Sequence, residues 1–144
     1  MSPRCDERGY FMRVFDENLF RQHGITTAWV QKNQSLSKAK GTIHGLHFQR
    51  PPHAEAKLVR VTAGRILDVF VDLGKASPTF GQRHALELSA ENQKMIYIPK
   101  GFAHGYCTLT EETVVFYKVD EWYAPNYNAP DHQAAGRSSG LGQR

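Results

Sequence analysis

Leu58-Val59-Arg60-Val61-Thr62-Ala63-Gly64-Arg65-Ile66-Leu67-Asp68-Val69-Phe70-Val71-Asp72 is the stretch that decides the fold class. Both arms, 58–61 and 66–72, alternate along the chain and are rich in β-branched residues, the pattern of half-buried strands. Ala63-Gly64 sits between the arms with the spacing of a tight hairpin. Working outward, residues 25–30, 58–62, 66–71, 95–98 and 113–119 read as the clearest strands. Pro51-Pro52, Ser77-Pro78-Thr79-Phe80-Gly81 and Pro99-Lys100-Gly101 read as loops between them. Short strands with turns every eight to twelve residues or so predict an all-β jelly roll, a β-sandwich or closed barrel. A single short helix near the N-terminus is predicted from the Asp16 cap, the apolar Leu19 and Phe20, and Gly24 as its C-terminal stop.

The chain has 144 residues, enough for one domain and one core. Residues 1–125 are predicted to form that domain. From Asn126 the composition turns to Gly, Ser, Gln and Arg, so 126–144 reads as an irregular tail and 134–144 as disordered. No run of 18 apolar residues exists, which excludes a helical membrane span. Met1-Ser2-Pro3-Arg4-Cys5-Asp6 lacks the apolar run of a secretory signal. The two cysteines, Cys5 and Cys107, are too few for a disulfide framework or a zinc finger. A cytoplasmic protein is the expectation. The net charge of +4 suggests an anionic partner. The basic residues are scattered, which argues against nucleic acid and for a small phosphorylated ligand.

Three features go beyond a plain sandwich: Gly45-Leu46-His47-Phe48-Gln49, Pro99-Lys100-Gly101-Phe102-Ala103-His104-Gly105, and Phe116-Tyr117-Lys118. Strand alternation places His47 on one face with Gly45 and Gln49. An imidazole and a phenol on inward faces would share a cavity with an acid–base repertoire. Each also has a plain reading. A buried His or Tyr is commonly a hydrogen-bonded structural residue, and Lys57 by default is a solvated cation. His44, His47 and His104, with His53 or Glu55, have the side-chain types of a jelly-roll metal centre. His44 and His47 are three apart, however, so on a regular strand they project to opposite faces, and no metal site is expected.

Taken in order, Gly45-Leu46-His47-Phe48-Gln49, Lys57-Leu58-Val59-Arg60-Val61, Asp68-Val69-Phe70-Val71-Asp72, Ser77-Pro78-Thr79-Phe80-Gly81, Leu88-Ser89-Ala90-Glu91-Asn92 and Ile98-Pro99-Lys100-Gly101-Phe102-Ala103-His104-Gly105 resemble the dTDP-4-dehydrorhamnose 3,5-epimerase family. The resemblance spans about Asp6 to Tyr123 and implies a cupin-like jelly roll. It implies epimerisation at C3, C5 or both of a dTDP-4-keto-6-deoxyhexose, in dTDP-L-rhamnose or related deoxysugar biosynthesis. Protons α to the C4 ketone are removed and returned from the opposite face, with no cofactor and no metal. His47 then matches the general base, Tyr117 the acid on the other face, and Lys57 the cation beside the enolate oxygen. His104 lines the same pocket, and Arg60 and His44 join the substrate contacts. Arg8 matches an arginine that reaches the diphosphate across a homodimer interface, and Phe11 an aromatic beside the nucleobase. Gln31 and Asn33 match contacts to the phosphates or sugar, and Trp122 a ring stacked on thymine.

Several positions depart from the family pattern. His44 stands where relatives usually carry Arg, and Arg13 where they usually carry Glu, which leaves the nucleobase open. The resemblance also implies an aspartate, beyond the Tyr117 strand, that orients the catalytic imidazole. Here the sequence leaves the pattern after Tyr123, and the acidic residue downstream is Asp131 in an Ala-Pro-Asp-His setting. A weaker base follows from that reading. The alternatives are a nucleotide-sugar-binding relative without turnover and a metal-dependent cupin.

Overall fold

The alternating arms of the opening stretch fold as β5 (Lys57–Ala63) and β6 (Arg65–Asp72), but not as a hairpin. The computed structural model, which describes residues 1–130, places them in different sheets. β5 pairs with β8 (Met95–Ile98) and β10 (Thr113–Val119), whereas β6 pairs with β7 (Arg83–Ser89) and β9 (Phe102–Thr108). Gly64 makes the corner between the sheets. Its φ of +79° is left-handed, and a Cβ there would lie 2.4 Å from the Thr110 hydroxyl. Alternation identified two strands correctly; it carries no information about whether they pair with each other.

One sheet has the order β3-β10-β5-β8, with β3 spanning Gln31–Ser37. The other has the order β11-β4-β9-β6-β7, with β4 spanning Ile43–Gln49 and β11 Asn128–Pro130. Every strand pair among the described residues is antiparallel, as in a jelly roll. Val59, Val61, Ile66, Leu88, Ile98, Tyr106 and Val115 form the buried cluster between the sheets. Fully burying one such aliphatic side chain stabilises the fold by about 1.5–3 kcal/mol. A separate exposed hairpin joins β1 (Arg4–Asp6) to β2 (Gly9–Phe11).

The predicted helix is α1, Glu17–Gln22, capped by the Asp16 carboxylate, which accepts from the Asn18 and Leu19 N–H groups. Gly24 follows it at φ +79°. The strand expected at 25–30 is absent, and the polar run Gln31–Ser37 forms β3 instead. Among the described residues β3 is an edge strand paired only with β10, and one of its faces lines a cavity. Neither condition requires apolar residues, so hydrophobic patterning missed it. Regular structure also extends past 125. Arg50 donates from its guanidinium to the Asn126 carbonyl and from its backbone N–H to the Tyr127 carbonyl. These bonds lay β11 against β4, and an edge position tolerates Pro130. The remainder of the predicted tail, Asp131 included, lies outside the described residues.

Candidate active site

β4 departs from regular geometry where the chemistry lies. His44 pairs with Tyr106 and His47 with His104 on β9, so Gly45 and Leu46 together oppose the single residue Gly105. This is a β-bulge, and the extra residue shifts the phase of alternation. His44 and His47, three apart in sequence, therefore face the same way, contrary to the expectation from strict period two. Gly105 permits the close approach. A Cβ on it would lie 2.6 Å from the His44 carbonyl oxygen and 3.1 Å from Leu46 N.

The bulge and its partners form one wall of a cavity of about 440 Å³ between the two sheets. His44, His47, His104 and Tyr106 line that wall. The His44 ring stacks on Tyr106 with centroids 4.4 Å apart, and its Nε2 lies 2.9 Å from Ser37 Oγ. The Tyr106 hydroxyl lies 2.9 Å from Ser35 Oγ. Behind the wall, His104 Nε2 meets Asp68 Oδ2 at 2.7 Å, with His104 8% and Asp68 0% exposed. A buried carboxylate against an imidazole fixes the ring's orientation. Asp68 was not singled out from sequence, although an acid on the inward face of an apolar strand was the available signal.

The opposite wall comes from the other sheet. Lys57 and Val59 of β5 and Val115, Tyr117 and Val119 of β10 line it, with Tyr117 directly across from Val59. Lys57 is buried, and its Nζ lies 3.4 Å from Glu55 Oε1. An ammonium withdrawn from water in this way needs such a counter-charge. Gln31, Asn33 and Ser35 of β3 add polar groups at one end. At the mouth, the buried Gln49 amide donates to the His53 and Trp122 carbonyls and accepts from the Ala124 N–H. Those bonds hold the segment carrying Tyr123, another lining residue the sequence reading missed.

Of the residues singled out from sequence, His47, Tyr117, Lys57, His44, His104, Gln31 and Asn33 share this cavity. The others do not. Arg60 falls on the opposite face of β5, with its guanidinium 5.6 Å from the Phe116 ring centroid. Trp122 lies outside the lining with 60% of its surface exposed, and it contributes only a backbone carbonyl to the Gln49 network. Arg8 and Phe11 stand on the exposed hairpin and are not among the residues that line this cavity. Arg8 pairs there with Asp6 at 2.7 Å and holds that carboxyl below its ordinary range. Although His44 and His47 share a wall, no three His, Cys, Asp or Glu side chains converge as metal ligands would among the described residues.

The family model for dTDP-4-dehydrorhamnose 3,5-epimerase matches residues 1–132. The curated dTDP-4-dehydrorhamnose 3,5-epimerase of Methanothermobacter thermautotrophicus is 48% identical over 124 residues, covering 86% of this chain and 66% of the relative. That of Shigella flexneri is 46% identical over 120 residues, 83% of this chain and 66% of the relative. The chain thus spans just under two thirds of the length of these relatives. A crystal structure of dTDP-4-dehydrorhamnose 3,5-epimerase from Bacillus anthracis, with TDP and PPi bound, superposes with a TM-score of 0.87 at 47% identity, covering 89% of this chain and 74% of that one. A 3,5-epimerase of Legionella pneumophila in complex with dTDP-4-keto-L-rhamnose gives 0.86 at 41% identity, covering 92% and 70%. With its jelly roll and its six motifs in order, the chain belongs to the dTDP-4-dehydrorhamnose 3,5-epimerase family.

Proposed function

We propose that this cavity epimerises a dTDP-linked 4-keto-6-deoxyhexose at C3, C5 or both. The observation that carries the reading is the placement of proton-transfer groups on facing walls, His47 and His104 on one and Tyr117 with Lys57 on the other. His47 takes the proton from the carbon α to the C4 ketone, and the bonding pair moves onto the ketone oxygen as an enolate. Lys57 stabilises that oxygen. The Tyr117 hydroxyl returns a proton to the opposite face, and the ketone re-forms with the carbon inverted. Protons and electrons balance without a redox partner. The His104–Asp68 pair supplies a fixed polar group beside His47.

Gln31 and Asn33 are suited to the diphosphate or sugar. Arg8 and Phe11, outside the cavity of their own chain, would serve the site of a second subunit in a homodimer. An apolar row across the outer face of the five-stranded sheet, Ile43, Cys107 and Leu67 in direct register, supports such pairing. Cys5 and Cys107 are free thiols, which suits a reducing cytoplasm. No helix among the described residues is long and apolar enough to cross a membrane. The test is conversion of dTDP-4-keto-6-deoxyglucose followed by proton NMR. New sugar signals of an inverted C3 or C5 are expected, and an unchanged spectrum at high protein concentration contradicts the proposal.

A further inference from the structure

Outside the cavity, the outer face of the four-stranded sheet carries three cations side by side. Lys32 on β3 stands directly across from Lys118 on β10, and Arg60 on β5 is one diagonal step away, opposite Phe116. Like charges directly opposite on a sheet are destabilising. Yet none of the four strands, Gln-Lys-Asn-Gln-Ser-Leu-Ser, Thr-Val-Val-Phe-Tyr-Lys-Val, Lys-Leu-Val-Arg-Val-Thr-Ala and Met-Ile-Tyr-Ile, contains an acidic residue.

The segment that packs over this face brings Phe15 against Lys118 and leads into α1. Its carboxylates are already engaged, Asp16 as the helix cap and Glu17 with Arg21 at 3.1 Å. Among the described residues no ion pair involves Lys32, Arg60 or Lys118. Arg60 Nε is buried without a hydrogen-bond partner. Two of these cations lie over ring faces, Lys118 Nζ 4.1 Å from the Phe15 centroid and Arg60 over Phe116. Burial and the charges of Lys32 and Arg60 together press the Lys118 ammonium below its ordinary value. Alternation separates the cluster from the cavity, because Tyr117 lines the cavity while its neighbours Phe116 and Lys118 lie on the other face.

We propose that Lys32, Arg60 and Lys118 form an anion-binding site for a diphosphate-class ligand on this outer face. The cations sit on three consecutive strands spaced about 4.8 Å apart, a spread of roughly 10 Å that suits two linked phosphoryl groups better than one. A guanidinium fork and two ammoniums supply the charge-assisted donors such oxygens accept. The inference does not depend on the epimerase reading.

The test is titration of the full chain with inorganic pyrophosphate at fixed ionic strength, by calorimetry and thermal melting, in wild type, Lys118→Met and Lys32→Gln. Pyrophosphate taken into the cavity registers equally in all three, so the difference reports the outer site. Without ligand, Lys118→Met should melt at or above wild type, since it removes a desolvated, repelled charge. With ligand, wild type should gain the most, and the outer-site affinity should fall about tenfold in each variant. Lys32 is exposed, so Lys32→Gln decides the matter if Lys118→Met fails to fold. Equal affinity in all three proteins overturns the site, and orthophosphate binding as tightly as pyrophosphate overturns the diphosphate class.

Discussion

A cavity with imidazoles on one wall and a phenol with an ammonium on the other assigns distinct work to each side chain. Replacing His47 with Ala removes the proposed proton acceptor and leaves Lys57, Gln31 and Asn33 in place. His47→Ala should therefore abolish solvent exchange at the carbon it serves while dTDP affinity stays within a few-fold, read by NMR and calorimetry. A fully active variant removes His47 from the mechanism. These residues were legible in the sequence because reactive side-chain types sit in short ordered motifs. Arg60 and Trp122 were less so, since a residue's place in a motif does not say which face of its strand or which side of a loop it occupies. Asp68 went unnoticed because its partner, His104, lies 36 residues away and meets it only through strand pairing.

Among the elements, the β4 bulge decides the shape of the site. Gly105→Ala would drive a methyl into the His44 carbonyl and the Leu46 amide, backbone groups that cannot step aside as a flexible side chain would. The variant should lose roughly 1–3 kcal/mol of stability, measured by urea denaturation, and its turnover should fall more than that loss explains. Unchanged turnover would show that the bulge does not set the imidazole geometry. The loop after β6 offers a second check. Asp72 accepts from the Ser77 and Thr79 hydroxyls and the Gly74 N–H, and these bonds hold its carboxyl below the ordinary range. A depressed folded value means the contribution is present above the unfolded carboxylate range and lost as pH falls through the lower folded one. The stability advantage of wild type over Asp72→Asn should thus shrink between about pH 5 and pH 3, and a pH-independent difference would contradict it. Element identity was readable wherever apolar alternation was strong. It failed at β3, whose polar residues face a cavity and solvent, and at the β5–β6 corner, where a glycine changes sheets.

For the whole molecule, the two sheets leave different outer faces. The five-stranded sheet presents Ile43, Cys107 and Leu67 in register, two of them among the large exposed hydrophobic residues. A homodimer through this face should dissociate in Ile43→Asp with Leu67→Asp, seen by sedimentation as a halved mass with the circular dichroism spectrum retained. An unchanged mass would place the interface elsewhere. The four-stranded sheet presents its cations instead, and the cavity lies between. Such assignments come only from the assembled fold, because the sequence supplies residue types and strands but not which sheet each strand joins.

If protons leave and return on opposite faces of the sugar, deuterium exchange separates the two steps. dTDP-4-keto-6-deoxyglucose would be incubated in deuterated water with wild type and with Tyr117→Phe, and followed by proton NMR. Deuterium at C3 or C5 with inversion is expected in wild type, and in the variant exchange that outpaces inversion. No deuterium entering with wild type, or a Tyr117→Phe variant that inverts at the wild-type rate, would contradict it.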